Sequence, residues 1–86
     1  MKEQARAYVR QLKREHPICF DCQKGWPPYV LEFDHVNPST KLFNVGDASS
    51  VPSMAALISE AEKCDLVCSN CHKIREHKRR KEAPAD

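Results

Sequence analysis

The stretch Cys64–His77, with the sequence CDLVCSNCHKIREH, contains three cysteines and two histidines. Cys68 and Cys71 are separated by two residues, and the same spacing occurs upstream between Cys19 and Cys22. Two such pairs supply the four thiolates of a tetrahedral Zn²⁺ site. Because four sulfur ligands leave no open coordination position, the spacing predicts a structural zinc ion.

The length of 86 residues favours a single domain whose core is too small to be stable without a cross-link. A structural Zn²⁺ can contribute about 10–16 kcal/mol, which exceeds the net stability of most small domains. The first sixteen residues lack the apolar stretch of a secretory signal, and no apolar run is long enough to cross a bilayer. We therefore expect a cytoplasmic protein without a membrane partner, in which thiols bind metal. Of the five cysteines, Cys64 would be left free.

The net charge of +2 is unevenly distributed along the chain. Residues 1–16 carry five basic and two acidic side chains, residues 17–71 carry three and seven, and residues 72–82 carry six and two. Basic ends suit a polyanionic partner, and an acidic middle suits a bound cation. Solvated helix faces would give the same pattern, so charge alone does not separate these interpretations.

Apolar periodicity predicts an α+β fold with elements of both types. The predicted elements are a helix from Lys2 to about Glu15 within residues 1–16, a strand over 29–36, a short strand over 41–45, a helix from Met54 to about Lys63, and a last helix from the second cysteine pair to about Glu82. The end of the basic tail, within 78–86, is expected to be frayed.

Asp34 and His35 lie at the predicted end of the first strand, just before the turn signal Asn37-Pro38. One interpretation is that His35 continues the apolar face of the strand and makes a single internal hydrogen bond. The other is a polar site, which is favoured by the adjacent carboxylate and by an unassigned second histidine, His72. Strand alternation directs neighbouring side chains to opposite sides, so both reach one site only where the strand bends or ends.

His72 follows Cys71 by one helical step, which rotates it about 100° around the axis, away from the thiolates. It could simply cover the zinc site. Glu76, four residues later, shares its face. Opposite a strand end that carries Asp34 and His35, this face could bind a second, hard divalent cation with open positions for a substrate.

The combination of Cys19-x-x-Cys22, the run Leu31-Glu32-Phe33-Asp34-His35-Val36-x-Pro38 and Cys68-x-x-Cys71-His72 resembles the HNH endonuclease family, which has a ββα-metal (His-Me) finger. The resemblance covers roughly residues 19–77. The two cysteine pairs and Lys41-x-Phe43 are similar to small phage and prophage members. The resemblance implies that residues 1–86 form one zinc-stapled ββα-metal finger with an added N-terminal helix and a further helix before the second cysteine pair.

The resemblance also implies a divalent-metal-dependent endonuclease that hydrolyses DNA phosphodiester bonds, by nicking or double-strand cleavage, with low sequence specificity. His35 would be the general base, and Asp34 and His72 would hold one Mg²⁺ or Mn²⁺ ion. The expected DNA-binding residues are Lys73, Arg75, His77, Lys78, Arg79 and Arg80. The implied partners are DNA and, by resemblance only, a phage packaging machinery. The protein would act as a monomer or weak dimer in a bacterial or phage-infected cell.

One position departs from the family pattern. The family's middle Asn usually lies nine residues before the His72 position and braces the loop between the strands, but Lys63 occupies that position here. Asn44 or Asn70 could brace the loop instead, with Glu76 as further support. Two alternatives remain open: a non-catalytic, zinc-stabilised nucleic-acid-binding module, and a redox or zinc-storage dithiol protein, which would give no role to Asp34 or His72.

Overall fold

The computed structural model describes residues 1–82, and in them an α+β fold with three α-helices and a two-stranded antiparallel sheet. The elements are α1 (Lys2–Glu15), β1 (Leu31–His35), α2 (Met54–Ala61), β2 (Cys64–Cys68) and α3 (Ser69–Glu82), with short 3₁₀ turns at Pro28–Val30, Pro38–Thr40 and Ala48–Ser50. No helix in this part of the chain is long and apolar enough to span a membrane. The predicted fraying of residues 83–86 lies outside the described residues.

The three helices occur where they are predicted, although α2 ends at Ala61 and not at Lys63. α1 has the predicted bounds, because Pro17 after His16 disfavours a helical conformation. Ser53 begins α2, since its hydroxyl accepts a hydrogen bond from the Ala56 N–H at 3.1 Å. α3 starts within the second cysteine pair and ends at Glu82, as predicted.

The buried face of α2 differs from the predicted one. The spacing of Met54, Leu57, Ile58 and Ala61 predicts one buried face, and Leu57 is fully buried as expected. Ile58, predicted to be buried, is 42% exposed, whereas Glu60 is 1% exposed. Glu60 lies three residues after Leu57 and therefore points to the same side of the helix.

The first strand is shorter than predicted. Tyr29 belongs to the 3₁₀ turn that begins at Pro28, and its side chain is 84% exposed. Proline fixes the backbone φ angle and lacks an N–H group, so it favours such a turn over a paired strand. β1 therefore begins at Leu31 and ends at His35.

The prediction of a second strand over 41–45 is wrong, because this segment has no regular structure. The strand that pairs with β1 is β2, with Leu31 opposite Cys68 and His35 opposite Cys64. The Leu42 N–H donates to the Glu60 carboxylate at 2.9 Å, which replaces the backbone pairing that a strand would provide.

The sheet contributes to two apolar clusters. The first contains Cys19, Leu31, Val67, Cys68 and Cys71, with Trp26 packed against it. The second contains Ala5, Val45, Val51 and Leu57, with Phe33 and Cys64 among the partly buried residues around it. Because β1 contributes Leu31 to one cluster and Phe33 to the other, the strand connects the two cores.

Candidate active-site cleft and cysteine cluster

The four predicted zinc ligands come together at the start of α3. The sulfur atoms of Cys19, Cys22, Cys68 and Cys71 all lie within 4.8 Å of one another. Sulfur ligands at about 2.3 Å from a tetrahedral ion lie about 3.8 Å apart, so this cluster could hold a structural metal such as zinc. In each pair the second cysteine's N–H donates to the first cysteine's sulfur, at 3.4 Å for Cys22 and 3.5 Å for Cys71.

The electrostatics of the cluster favour a cation. Burial, together with the neighbouring sulfur atoms, raises the pKa of Cys71 to about 12. Burial also opposes ionisation of Cys19, but backbone N–H groups, including that of Cys22, outweigh it and lower its pKa to about 6. Four thiolates therefore do not ionise together readily unless a positive ion balances their charge. The fifth cysteine, Cys64, lies outside the cluster, and burial raises its pKa to about 11.

A cleft of about 460 Å³ opens beside the end of β1. Its lining includes Asp34, His35, Asn44, His72, Glu76 and Arg79. The predicted general base and both predicted ligands of the divalent ion therefore border the same space. β1 and α3 bring them together, because the chain returns through β2 alongside β1 and enters α3 directly.

His72 is surrounded by three carboxylates. Its Nε2 lies 3.3 Å from Asp34 Oδ1 and 3.5 Å from Glu76 Oε1, and its Nδ1 lies 2.6 Å from Glu32 Oε1. A neutral ring that donates its Nδ1–H to Glu32 keeps a lone pair on Nε2, facing Asp34. Metal-binding histidines commonly have this arrangement.

Asp34 is 4% exposed and accepts hydrogen bonds at both oxygens. Arg79 donates to Oδ1 at 2.7 Å and to Oδ2 at 2.8 Å, and Arg75 donates to Oδ2 at 2.8 Å. Burial alone would raise the pKa of Asp34, but the hydrogen bonds from Arg79 and Arg75 outweigh burial and hold it at about 2. Asp34 is therefore a carboxylate at neutral pH.

Arg75, which sequence reasoning assigned to DNA, joins three parts of the molecule. Besides Asp34, it donates to both oxygens of Asp21 at 2.6 Å and to Asp65 at 3.0 Å. These contacts connect α3 to the first cysteine loop and to both strands. Hydrogen bonds to these carboxylates, above all to Asp21, raise the pKa of Arg75 above its already high usual value.

His35 is 7% exposed, and its Nε2 lies 2.8 Å from Glu60 Oε2. The internal hydrogen bond considered for a core histidine is therefore present, while the ring also borders the cleft. Sequence reasoning missed Glu60. The available signal was an acidic residue on the Leu57 side of a helix with an apolar stripe.

The loop after β1 is braced by Lys63, the residue that stands where the resemblance leads one to expect an Asn. Its Nζ donates to the Thr40 carbonyl and to Glu60 Oε1, both at 2.9 Å. Asn44 borders the cleft and Asn70 is exposed. Neither amide side chain makes a hydrogen bond with another of the residues 1–82.

The other predicted DNA-binding residues have exposed side chains on α3. They are Lys73, His77, Lys78 and Arg80. Within the described part of the chain none of the four forms an ion pair, in contrast to Arg75 and Arg79. Their contact with DNA stays a prediction.

Comparison with protein-family models, with curated proteins and with solved structures found no match for this chain. The inference about function therefore depends on the residues of the cleft and of the cysteine cluster.

Proposed function

We propose that this chain is a divalent-metal-dependent endonuclease that hydrolyses phosphodiester bonds in DNA. The observation that carries the proposal is the convergence of Asp34, His35 and His72 on one cleft, with 3.3 Å between Asp34 Oδ1 and His72 Nε2. A carboxylate and two imidazoles in a common cleft provide both ligands for a hard cation and a general base.

The pair formed by Asp34 and His72 fits a small octahedral cation. Adjacent ligands at about 2.1 Å from such an ion lie about 3 Å apart, close to the observed separation. Asp34 and His72 would hold Mg²⁺ or Mn²⁺, and Glu76 is near enough to bind the ion or one of its waters. When bound, the ion supplies Lewis-acid stabilisation of charge on the phosphate and on the leaving oxygen.

The chain's own groups supply the remaining chemistry. His35 would remove a proton from the attacking water, a role for which imidazole is suited near neutral pH. The exposed cations Lys73, Lys78 and Arg80 would bind backbone phosphates, which favours affinity that depends on salt and little on sequence. In this proposal zinc occupies the cysteine cluster and has only a structural role.

The alternative is a nucleic-acid-binding module without catalysis. It is favoured by the two guanidinium groups that engage Asp34, because this carboxylate is already compensated by Arg75 and Arg79. In that case Asp34 would only fix α3 to the sheet. A binding module would retain affinity for DNA and would cut no DNA with any divalent ion.

Nicking of supercoiled plasmid DNA, with and without added Mg²⁺ or Mn²⁺, separates the two functions. We expect metal-dependent nicking by the wild type and a loss of about 10²–10⁴-fold in rate for His35→Ala, since a positioned base contributes by that amount. DNA affinity and zinc content should be unchanged in this variant. His16→Ala is the matched control, because His16 is exposed at the end of α1 and does not line the cleft.

Two results would contradict the proposal. One is DNA binding by a zinc-loaded wild type that cuts with neither ion. The other is a His35→Ala variant that nicks as fast as His16→Ala, which would indicate a contaminating nuclease or a different site.

A further inference from the structure

We infer that Glu60 is the positioning residue for His35: its carboxylate holds the imidazole through Nε2 and leaves Nδ1 as the nitrogen that accepts a proton. The inference rests on the proposed function for its kinetic part, whereas its structural part concerns only the ring and the carboxylate. Nothing in the linear pattern of catalytic residues marks Glu60, because it lies on α2 and 25 residues after His35.

The contact between Glu60 and His35 is short and buried. Glu60 Oε2 lies 2.8 Å from His35 Nε2, and the two side chains are only 1% and 7% exposed. A hydrogen bond between such buried groups does not compete with water, so it fixes the orientation of the ring. Within residues 1–82, no hydrogen bond is made by His35 Nδ1.

The proton in this contact belongs to His35. Glu60 accepts from the Leu42 N–H and from the Lys63 ammonium, and these bonds lower its pKa to about 2 despite its burial. An ionised carboxylate has no proton to donate. His35 Nε2 must therefore be the donor, and in the neutral ring the lone pair lies on Nδ1. A carboxylate that selects one tautomer in this way acts on catalysis through the histidine.

Glu60 also fixes the loop that follows β1. The carboxylate that holds His35 also binds Leu42 and, through Lys63, the Thr40 carbonyl. One buried group thus fixes the ring and the polypeptide that follows β1. Lys63 and Glu60 together provide the loop brace that an Asn at position 63 would be expected to provide.

The wild-type protein tests the structural part without any variant. Two-dimensional ¹⁵N NMR of the zinc-loaded 86-residue chain, without DNA or added Mg²⁺, identifies the protonated ring nitrogen. We expect His35 in the Nε2–H tautomer, with an N–H proton that exchanges slowly with water. An Nδ1–H tautomer, or a freely exchanging Nε2–H proton, would overturn the inference whether or not the protein cuts DNA.

Glu60→Gln tests the kinetic part. An amide presents a donor on one side, so it cannot accept from His35, Leu42 and Lys63 together. We expect kcat for plasmid nicking to fall by about 10–10⁴-fold while KM for DNA stays within about twofold, because Glu60 is buried and is not among the residues that line the cleft. The His35 Nε2–H signal should shift and exchange faster with water, because a neutral amide oxygen is a weaker acceptor than the carboxylate oxygen that binds His35 and Leu42.

Glu62→Gln is the matched control, since it removes the same charge from an exposed residue two positions later. It should keep the wild-type kcat and spectrum. Should Glu60→Gln fail to fold, Glu60→Asp retains the charge while the shorter side chain withdraws from His35, and a comparable fall in kcat is expected.

The outcomes distinguish this inference from the proposed function. A wild type that does not cut DNA but shows the protected Nε2–H signal contradicts the nuclease and leaves the positioning contact in place. The opposite result is a wild type that cuts DNA while Glu60→Gln or Glu60→Asp nicks as fast as Glu62→Gln. It contradicts the role of Glu60 and leaves the proposed nuclease function in place.

Discussion

Asp34 is the residue at which the two interpretations of the cleft meet. Its Oδ1 faces His72 Nε2 at 3.3 Å and also accepts a hydrogen bond from Arg79 at 2.7 Å. A carboxylate oxygen has two lone pairs, so it can serve a guanidinium and a cation together. The positive charge of Arg79 nevertheless opposes the approach of a divalent ion. Arg79 should therefore weaken cation binding in the absence of DNA.

The first prediction follows from this competition. Replacing Arg79 by Gln should tighten Mn²⁺ binding to the zinc-loaded, DNA-free protein by about tenfold, the effect of removing one charge about 6 Å from a divalent ion in a largely aqueous setting. Electron paramagnetic resonance of free Mn²⁺ measures the affinity directly. Arg80→Gln removes the same charge from an exposed position on α3 and should change the affinity for Mn²⁺ much less. Equal or weaker Mn²⁺ binding by Arg79→Gln would show that Arg79 mainly holds Asp34 in place.

At the scale of elements, local sequence signals predicted the helices better than the sheet. The α1 stripe and Pro17 determine its bounds, and Ser53 begins α2 through a contact with a neighbour in sequence. β2 has no such signal, because it is five residues long and contains two of the cysteines. Its pairing with β1 joins residues that are 29 to 37 positions apart, so it depends on contacts that local periodicity does not report.

In the candidate site too, residues with a local sequence signal were predicted, and contacts that depend on the tertiary structure were not. Cys19, Cys22, Cys68 and Cys71 were identifiable because their spacing is itself the signal, and their clustering agrees with it. Asp34 was predicted from its place at the end of the first strand and His72 from its place directly after Cys71, and both line the same cleft. Glu60 and the inward-facing arginines were missed because ion pairing across elements is decided by tertiary contacts. An exposed and a buried arginine look alike in a sequence.

The second prediction concerns how α3 is attached to the sheet. Arg75 contacts Asp34, Asp21 and Asp65, and its side chain is 17% exposed. Arg75→Met should lower the free energy of unfolding by about 2–4 kcal/mol, because it leaves the buried Asp34 carboxylate with one fewer compensating group. Urea denaturation of the zinc-loaded protein measures this change.

Arg80→Met is the matched control for Arg75, since it makes the same substitution five residues later on the same helix at an exposed position. It should change the free energy of unfolding by about 0.5 kcal/mol or less. If Arg75→Met lowered the free energy of unfolding by no more than Arg80→Met does, the ion pairs of Arg75 would contribute nothing to stability. Arg75 would then again be a candidate for DNA binding.

At the scale of the whole molecule, stability depends on both apolar clusters, and one of them consists largely of cysteines. Leu31 and Val67 are the only aliphatic residues among its buried members in the described part of the chain. β1 and β2 connect this cluster to the second one through Phe33 and Cys64. Loss of a metal from the cysteines should therefore affect both cores, because the same two strands form part of each.

The last prediction is that metal removal unfolds the chain in one step. Without the metal that links the four cysteines, the first cluster has too little apolar surface to hold the sheet, since a structural zinc contributes about 10–16 kcal/mol. Titration with a zinc chelator should release one Zn²⁺ per chain. The fluorescence of Trp26, which packs against the cysteine cluster, and the helical circular dichroism signal, which includes α1 and α2, should change together. Cys68→Ser should be unfolded at the outset, whereas Cys64→Ser should bind zinc and remain folded. If Trp26 became exposed while the helical signal persisted, the two cores would be independent, and the sheet would not be the element that couples them.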